Sequence, residues 1–561
     1  MTFMKERVIS LLLKPTKLKK NQLENLVQIP KDAKLGDFTF PCFLLAKTLK
    51  KNPDEIAKDI ADRLKNNLEF ENVEPVGGYV NIFVNRHVLA EETLKKIQKE
   101  RSKYGSNNLG KKKKILIEMS SPNIAKPFGI GHLRSTIIGN SIAKIAEFSG
   151  FKTTKLNYLG DWGTQFGKLI LGYKKFGNPD LLKLDPIEHL LEIYVKVNAN
   201  PDLESEAREW FKRLELGDKE AFALWKKFRE LSLKDFDEIY KRLNIKFDIT
   251  SGESDYNKQM EMIVKELQKK NLLVKSEGAQ IVDLRKFNLG VVLIKKSDGT
   301  TIYATRDIAA AIDRYKKYKF DAMFYEVGSE QKLHFEQIFK TLELMGYKWA
   351  KTCLHINHGL YLGKDGKKFA TRKGKTVFVG DIVAEAKDLA EKEILKRDSK
   401  TAKKELANRA EAIALAAIIY GDLKNYRAND VVYDIERFTS FEGDTGPYLL
   451  YSYARAKSIL AKAKFNPKKK YSIHDMNDSE KNLVSKLEKF EEAVINSYNN
   501  FSPNTIANYT FETSQQFNEF YHSNQVIGSE NEQFRLVLVD SFAKVLNNAL
   551  SLLGIKTLEK M

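Results

Sequence analysis

The first hundred residues alternate between helical and extended patterns of apolar side chains. In 54–64 (DEIAKDIADRL) the apolar residues recur at helical spacing, and Asn52-Pro53 is a typical helix start, an N-cap followed by proline. In 73–85 (VEPVGGYVNIFVN) apolar and polar residues alternate as in a strand. These patterns predict a small α+β domain over residues 1 to about 105.

A strand, a turn and a helix are predicted one after another from residue 115. Ile115-Leu116-Ile117 is a buried strand candidate, and apolar residues recur at helical spacing over 133–145. The turn between them contains Gly129 and Gly131, and His132 stands in the first turn of the helix. Free N–H groups and the helix dipole suit this position to phosphate, although a purely structural turn explains the local pattern equally well.

Farther along, strand and helix patterns continue to alternate. A second strand candidate precedes the glycine-rich loop 160–167 (GDWGTQFG), and residues 168 to about 245 have mostly helical spacing. They predict a helical insertion between two halves of a nucleotide-binding fold. The stretch 291–305 (VVLIKKSDGTTIYAT) predicts a hairpin with Asp298-Gly299 in its turn. From about residue 395 onward the spacing predicts an all-helical bundle.

Three polar residues follow this predicted hairpin and the next strand candidate. Tyr303 and Asp307 are four residues apart, so on a continuous helical turn they share a face. Gln331 lies where a further strand is predicted to end. Taken singly, each of them is more often structural, and Asp307 also suits a first helical turn, where it complements the dipole.

Length and charge narrow the class of protein. At 561 residues the chain is too long for one hydrophobic core, so two to four domains are expected. Ninety-four Lys and Arg against 74 Asp and Glu give a net charge of +20. This surplus favours a polyanionic partner, although a generally lysine-rich proteome explains it equally well.

The cysteine content and the absence of long apolar runs point to the cytoplasm. Cys42 and Cys353 are the only cysteines, which argues against a disulfide framework and against a cysteine zinc site. No apolar run approaches the length of a membrane span, and the N-terminus has too short an apolar run for a signal peptide. We therefore expect a cytoplasmic protein that does not bind a membrane.

The run at 120–136 (SSPNIAKPFGIGHLRST) resembles the first signature of class I aminoacyl-tRNA synthetases, in the form found in arginyl-tRNA synthetases. GDWGTQFG at 160–167, the N-terminal runs 35–57 and 77–85, and the C-terminal runs 438–455 and 534–555 are also similar to that family. The resemblance covers nearly the whole chain in the right order. One position departs from the family, because Gly129 stands where the signature usually begins with His.

The resemblance implies a fold and three domains. It implies an α/β doubly wound, Rossmann-type catalytic domain over 106–395, with a helical insertion at about 170–285. An N-terminal α+β domain over 1–105 would contact the tRNA, and an all-α helical bundle over 396–561 would bind the anticodon.

The resemblance also implies an arginine pocket. The residues at the family's arginine-binding positions are Glu118, Asn123, Tyr303, Asp307 and Gln331. Their chemistry fits, because a guanidinium is planar, always charged and has five N–H donors, so its pocket needs carboxylates and an aromatic. A lysine competitor would leave acceptors unpaired.

The ATP-binding residues follow from two signatures. The first implies Gly129, Ile130, Gly131 and His132. The loop 359–376 resembles a degenerate form of the second, with Lys368 as its first lysine and Thr371 in place of its second. Lys126 is the expected replacement for the missing cation, and Arg372 or Lys373 are alternatives. Catalysis is thus assigned to His132, Lys126 and Lys368.

The RNA contacts are predicted in the bundle. Tyr448, Tyr451 and Arg455 are candidates for stacking or pairing with loop bases. For the two tyrosines a core position is an equally good interpretation.

The predicted function is ATP-dependent activation of L-arginine and its transfer to tRNA(Arg) by a monomeric enzyme. Mg²⁺ is expected to arrive with ATP, without a dedicated metal site and without zinc. Two alternatives stay open. Because Gly129 removes a phosphate-facing imidazole, the chain could be a synthetase-like RNA-binding protein without activity, or it could be a class I synthetase for another amino acid. The pocket with two carboxylates argues against both.

Overall fold

The computed structural model describes residues 3–297, 302–367, 369, 378–473 and 475–561 of the chain. Lys368, Thr371, Arg372 and Lys373 lie outside the described residues, as does the Asp298-Gly299 turn.

The N-terminal domain combines helices with a small antiparallel sheet, as the alternating patterns predict. The sheet has the strand order β1-β3-β2. Asn52 caps the fourth helix, where its side-chain oxygen accepts from the Asp54 N–H at 3.0 Å. The elements are α1 (Phe3–Thr16), α2 (Lys20–Leu26), β1 (Phe38–Pro41), α3 (Phe43–Leu49), α4 (Pro53–Leu64), β2 (Phe70–Val76), β3 (Tyr79–Val84) and α5 (Arg86–Glu100).

A parallel five-stranded sheet forms the centre of the molecule. It consists of β4 (Lys114–Glu118), β5 (Lys152–Leu159), β6 (Ile249–Gly252), β10 (Ala322–Gly328) and β11 (Cys353–His358). The strand order is β11-β10-β4-β5-β6, and every neighbouring pair is parallel. The chain starts at β4, extends to one side through β5 and β6, and returns to the other side at β10. The topological switch point of this doubly wound sheet therefore lies between β4 and β10.

Both faces of this sheet are covered, as a continuous apolar strand predicts. Ile115 and Ile117 of β4 belong to a core shared with the N-terminal and C-terminal domains, whereas Leu116 faces a second core. The helix after β4 is α6 (Ile130–Phe148), where the sequence predicts it.

Five helices connect β5 to β6 at the place of the expected insertion. They are α7 (Thr164–Phe176), α8 (Pro179–Leu184), α9 (Pro186–Asn198), α10 (Glu204–Glu215) and α11 (Lys219–Arg242). Strand β6 lies inside the expected bounds of about 170–285, yet it pairs with β5 in the main sheet. The domain bounds themselves stay a prediction.

A small antiparallel sheet with the order β7-β8-β9 precedes the return to the main sheet. The predicted hairpin over 291–305 is wrong in its second half. Strand β9 pairs with β8, and Tyr303 begins a helix, because the apolar residues after it continue at helical spacing into the core. The elements on both sides of β10 and β11 are α12 (Met260–Lys269), β7 (Val274–Ser276), β8 (Ala279–Asp283), β9 (Val291–Lys295), α13 (Tyr303–Tyr318) and α14 (Lys332–Leu344).

The C-terminal part is a helical bundle, as predicted, but one short strand that was not predicted, β13, lies between α16 and α17 and pairs in parallel with β12. The strands β12 and β13 join the bundle to the stretch after β11. The remaining elements are β12 (Tyr361–Leu362), α15 (Val379–Arg397), α16 (Lys403–Leu423), β13 (Val431–Val432), α17 (Ile435–Phe438), α18 (Gly446–Lys462), α19 (Asp478–Glu488), α20 (Phe490–Asn499), α21 (Pro503–Ser523) and α22 (Glu532–Leu552).

Two further expectations concern cysteines and membranes. Cys42 and Cys353 are both buried free thiols, and burial raises the pKa of each to about 12. Among the described residues, no helix is long and apolar enough to cross a membrane.

Candidate active site

The turn between β4 and α6 lies at the carboxyl edge of the sheet, beside the switch point. Gly129 is the N-cap of α6 and has an extended backbone, and His132 is in the first turn. A Cβ on Gly131 would meet no atom within 4 Å, so the helix N-terminus is open at this residue. An accessible helix start of this kind is compatible with the predicted phosphate site, which stays a prediction.

His132 is a neutral imidazole with a defined tautomer. Its Nδ1 accepts a hydrogen bond from the Gly129 N–H at 3.4 Å, which leaves the ring proton on Nε2. Burial, aided by the nearby charges of Lys126 and His358, lowers the pKa of His132 to about 4. The ring can thus donate one hydrogen bond without carrying charge at neutral pH.

Lys126 is close to this turn, as the replacement of a missing loop cation requires. Its ammonium lies 5.3 Å from the centre of the Tyr194 ring in the helical insertion. The charge of Lys126 contributes to the low pKa of His132, so the ammonium lies within electrostatic range of the imidazole.

Two described parts of the chain in and after the stretch that resembles the second signature have defined contacts. Within the stretch, the Phe369 N–H donates to the Tyr361 carbonyl at 2.9 Å. After it, Phe378 pairs with Gly129, and the Val379 N–H donates to the Phe128 carbonyl at 3.1 Å. Phe378 and Val379 therefore lie directly against the candidate ATP-binding turn. The proposed cation Lys368 is outside the described residues.

Glu118, the last residue of β4, is buried and ion-paired inside the protein. Its Oε2 lies 2.5 Å from Nη1 of Arg314, which is itself buried on α13. The Arg314 guanidinium also lies over the Tyr158 ring, with its carbon 4.5 Å from the ring centre. Burial raises the pKa of Glu118, an effect that Arg314 opposes and Asp307 reinforces. The sequence analysis missed Arg314, and its only local signal is an arginine on the apolar face of a helix.

Asp307 and Tyr303 share one face of α13, as their spacing predicts, and a third residue joins them. The Asp307 Oδ2 lies 2.7 Å from Nε2 of His334, in the first turn of α14. The His334 ring centre lies 5.1 Å from that of Tyr303, which is 58% exposed. The sequence analysis did not identify His334 as the partner of Asp307. His334 orients the carboxylate and leaves its other oxygen for a ligand.

Asn123 and Gln331 follow two adjacent strands of the sheet, β4 and β10. Asn123 forms a parallel bridge with Gly160, and a Cβ on Gly160 would lie 2.1 Å from the Asn123 Oδ1. Gly160 of the GDWG run is therefore required for this close approach. The prediction that Gln331 ends a strand is wrong, because β10 stops at Gly328. Gln331 is instead the exposed last residue of a short 3₁₀ helix and the N-cap of α14.

Glu253 is a further carboxylate at this edge that the sequence analysis missed. It begins the segment after β6, and its Oε2 lies 3.8 Å from the Nη1 of Arg306. Burial raises the pKa of Glu253 to about 7, Arg306 opposes this, and the charges of Asp307 and Asp161 add to it. This edge of the sheet thus contains several carboxylates, of which Glu118 and Glu253 lie close to buried arginines.

The predicted RNA-binding residues form part of a row of alternating cations and rings, here called the arginine ladder. It consists of Phe441, Arg397, Tyr451, Arg455 and Tyr521. The guanidinium of Arg397 lies 4.5 Å from the Phe441 ring centre and 5.5 Å from that of Tyr451. The Arg455 guanidinium lies 4.7 Å from Tyr451 and 5.1 Å from Tyr521.

Tyr448 has a more internal position beside this ladder. Its hydroxyl accepts from the Asn518 Nδ2 at 2.7 Å, and its ring packs 5.7 Å from that of Phe511. Asn518 also accepts from Arg455 at 2.6 Å. Tyr448, Tyr451 and Arg455 all line one cavity of about 480 Å³. The core interpretation suits Tyr448, while Tyr451 and Arg455 present ring and cation to the cavity.

Within the described ranges, no group of three or more His, Cys, Asp or Glu side chains is arranged to hold a metal ion. The helix N-terminus and Lys126 are instead suited to bind phosphate oxygens.

Family models match three parts of this chain. The model described as "tRNA synthetases class I (R), catalytic domain" matches residues 93–435. The "Arginyl tRNA synthetase N terminal domain" matches residues 4–84, and the "DALR anticodon binding domain" matches residues 449–561.

Curated relatives match almost from end to end. The arginine–tRNA ligase of Clostridium perfringens is 44% identical over 554 residues, which cover 97% of each chain. That of Halothermothrix orenii is 41% identical over 565 residues, which cover 99% of each chain.

Solved structures share the fold over the same extent. The arginyl-tRNA synthetase of Thermus thermophilus has a TM-score of 0.81 at 24% identity, with 99% of each chain covered. That of Plasmodium falciparum has a TM-score of 0.80 at 25% identity over 100% of each chain.

Proposed function

Because this chain belongs to the arginyl-tRNA synthetase family, we propose how its own residues activate arginine and transfer it to tRNA(Arg). It is an enzyme of the arginine–tRNA ligase type. The arginine carboxylate attacks the α-phosphate of ATP, which gives arginyl-adenylate and pyrophosphate. The 3′-terminal ribose hydroxyl of the tRNA then takes the arginyl group and releases AMP.

One observation carries the assignment of the amino-acid site. Glu118 ends β4 beside the switch point of the sheet, and the charge of Asp307 is near enough to raise the pKa of its carboxyl, while the open N-terminus of α6 follows in the same turn. Ligands of doubly wound sheets bind at this place. The arrangement therefore brings an acceptor for a cation within one cleft of a binding site for phosphate.

We assign unequal roles to the two carboxylates. Arg314 already compensates the charge of Glu118, whereas His334 only orients Asp307. Asp307 therefore provides most of the attraction for the substrate guanidinium, and Glu118 sets the depth of the pocket. Tyr303 covers the guanidinium, while Asn123 and Gln331 bind the α-amino end.

The ATP is bound by backbone and by cations. The N–H groups of Ile130 and Gly131 face the phosphates, and the neutral His132, whose Nδ1 accepts from the Gly129 N–H, donates from Nε2. Lys126 and Lys368 stabilise the charge on the equatorial oxygens of the reacting phosphate. Such chemistry needs positioning and electrostatic stabilisation, without a covalent role for the protein. Mg²⁺ accompanies ATP and is bound mainly by its phosphates.

The second candidate function is that of an inactive relative of the synthetases, and it rests on Gly129. The missing imidazole removes one phosphate donor, and losing such a donor lowers rates by about 10²–10³. However, the Gly129 backbone is occupied, since it pairs with Phe378 and caps α6. This contact, which Phe378 makes just after the second-signature stretch, supports an active site in which Gly129 has a role through its backbone.

The deciding experiment is ATP–pyrophosphate exchange with each amino acid, with and without tRNA(Arg). We expect exchange with arginine alone, and no exchange with arginine under either condition would refute the proposal. The same assay on Gly129→His measures the contribution of the missing imidazole. An unchanged rate would mean that other donors already replace it.

The remaining assignments are also proposals. The arginine ladder and the N-terminal domain would bind the tRNA, and the enzyme would act as a cytoplasmic monomer. The net charge of +20 supports a nucleic-acid partner.

A further inference from the structure

The turn that contains Asn123 and Lys126 has an unusual backbone. Ser120, Ser121 and Ala125 have φ angles of 74°, 48° and 56°, in the left-handed region that residues with a Cβ rarely adopt. Such conformations persist only where surrounding contacts determine them, and they concentrate at functional sites. The contacts that hold this turn are therefore part of the site.

The first strained residue, Ser120, is held from two sides. Its N–H donates to the Ser135 Oγ on α6 at 2.9 Å, and its hydroxyl lies 2.7 Å from that of Thr136. On the opposite side, the Ser120 Oγ lies 2.8 Å from the hydroxyl of Tyr240. Tyr240 is in the last turn of α11, within the helical insertion.

Asn157 connects this contact to the second strained residue. Its Nδ2 donates to the Tyr240 hydroxyl at 3.1 Å, and its Oδ1 accepts from the Ser121 N–H at 3.2 Å. Because Tyr240 accepts from Asn157, its own proton is free to bind the Ser120 Oγ. The side chains of Ser120, Asn157 and Tyr240 are all buried, which strengthens the hydrogen bonds between them.

The third strained residue is held by the same helix. The Ala125 N–H donates to the Ser232 Oγ at 2.8 Å, and Ser232 donates in turn to the Phe228 carbonyl at 2.8 Å. Ser232 is completely buried. Without it, the Ala125 N–H would lose its partner inside the protein.

These two polar side chains interrupt an apolar stripe. Phe228, Ser232, Phe236 and Tyr240 are spaced four residues apart, so they lie on one face of α11, and all are buried. The rings of Phe236 and Tyr240 pack on Phe128, with centres 5.7 and 5.6 Å away. Apolar residues would suffice for packing at these positions. However, the hydroxyls of Tyr240 and Ser232 form hydrogen bonds with the strained residues Ser120 and Ala125 of the turn.

We propose that Tyr240 and Ser232 are positioning residues for the arginine site. From α11 they hold the backbone of 120–125 in the conformation that directs Asn123 toward the substrate's α-amino group. They do not touch the reactants. This inference rests on the role proposed above for Asn123.

The test is Tyr240→Phe, which removes only the hydroxyl, measured by ATP–pyrophosphate exchange under the conditions in which the wild type is active. We expect the KM for arginine to rise about tenfold or more, because a displaced turn misplaces the amino-acid ligands. The KM for ATP should stay within about twofold, since the helix start at Gly129 is held separately by Phe378. Ser232→Ala should likewise raise the KM for arginine and leave the KM for ATP nearly unchanged. It serves as a second variant if Tyr240→Phe does not fold.

Tyr509→Phe is the matched control. Tyr509 is equally buried, and its hydroxyl donates one hydrogen bond, to the Lys486 carbonyl at 3.0 Å, far from the site in the helical bundle. It should lower Tm and leave both KM values unchanged. In addition, Tyr240→Phe combined with Ser120→Ala should raise the KM for arginine no more than the larger single effect, because both remove the same contact.

Two results would overturn the inference. One is a KM for arginine within about twofold of wild type in Tyr240→Phe, and the other is an equal rise of the KM values for arginine and ATP. Wild-type exchange with arginine tests the proposed function independently, so a failure of one is distinguishable from a failure of the other.

Discussion

At the scale of single residues, the cleft contains ionisable groups whose surroundings give them different charges. Glu118 is neutralised by Arg314, Asp307 is oriented by His334, and His132 stays neutral because its pKa lies near 4. The surroundings of each side chain, more than its residue type, therefore determine its charge and its role. Three predictions follow from particular side chains.

Asp307→Asn should lower kcat/KM for arginine by about 10²-fold or more, because the substrate guanidinium loses its charged acceptor in a partly buried cleft. Exchange kinetics measure this. Asp313→Asn is the control on the same helix, since Asp313 pairs at 2.8 Å with an exposed Lys317. Equal losses in both variants would contradict the assignment.

His132→Asn should lower kcat of exchange by about 10²-fold and change the KM for arginine little, because a donor to the transition state is lost. Since the pKa of His132 is about 4, the loss should be the same at pH 6 and at pH 8. A loss that grows sharply between these pH values would mean that the imidazole titrates there. His87→Asn, at an exposed histidine of the N-terminal domain, should have no effect.

Glu253→Gln should stabilise the protein at alkaline pH. Burial raises the pKa of Glu253 from 4.5 to about 7, so between these values the folded protein holds a proton that the unfolded chain releases. The stability of the wild type therefore falls as pH rises through this window. Urea unfolding at pH 5 and pH 8 should show the gain of the variant mainly at pH 8. A similar gain at both pH values would refute the raised pKa.

At the scale of elements, α6 connects the active site to the bundle. Arg134, two residues after His132, is completely buried and pairs with Asp422 of α16 at 3.3 Å. It also donates to the carbonyls of Leu360 and Asn429 at 3.0 and 2.8 Å. The helix that begins at the candidate ATP site is thus fixed to the residues just before β12 and β13 and to the C-terminal domain.

Arg134→Met should lower the free energy of unfolding by about 3–5 kcal/mol, because it leaves the carboxylate of Asp422 buried without a cation. Adding Asp422→Asn should restore part of this loss. Arg242→Met removes an ion pair with Glu411 that is partly exposed, and it should lower the free energy of unfolding by about 1 kcal/mol or less. Denaturant unfolding measures all three, and equal effects of the two arginine variants would contradict the role of burial.

At the scale of the whole molecule, the two terminal domains meet behind the catalytic sheet. On α5, Gln98 donates to Asp540 of α22 at 2.9 Å, and Asn548 of α22 donates to the Arg101 carbonyl at 2.8 Å. The Tyr104 hydroxyl donates to the Leu487 carbonyl at 3.0 Å. Domains distant in sequence thus share one core.

Tyr451→Ala should raise the KM for tRNA(Arg) in aminoacylation about 5- to 100-fold, if a loop base stacks on the arginine ladder. The KM for arginine at saturating tRNA should not change. Phe176→Ala, at an exposed aromatic residue of the insertion, is the control. An unchanged KM for tRNA in Tyr451→Ala would show that the arginine ladder does not bind the tRNA.

The sequence by itself determined the strand, turn and helix around the candidate site and the helical bundle that ends the chain. Apolar period and turn residues are local, so β4, the turn and α6 were predictable, and so was the shared face of Tyr303 and Asp307. The local pattern failed at 303–305, where helical burial of the following residues overrides a hairpin signal.

Only the tertiary structure decided which side chains meet. Arg314 on Glu118, His334 on Asp307 and Tyr240 on Ser120 join residues from different elements, the last pair 120 positions apart. Periodicity shows which face of an element is buried, but it does not show which groups face each other across the core. The charge of the proposed arginine pocket depends on these contacts, because burial and neighbouring charges set the pKa of a carboxylate. The strained backbone of its turn depends on them too, because such conformations persist only where surrounding contacts hold them.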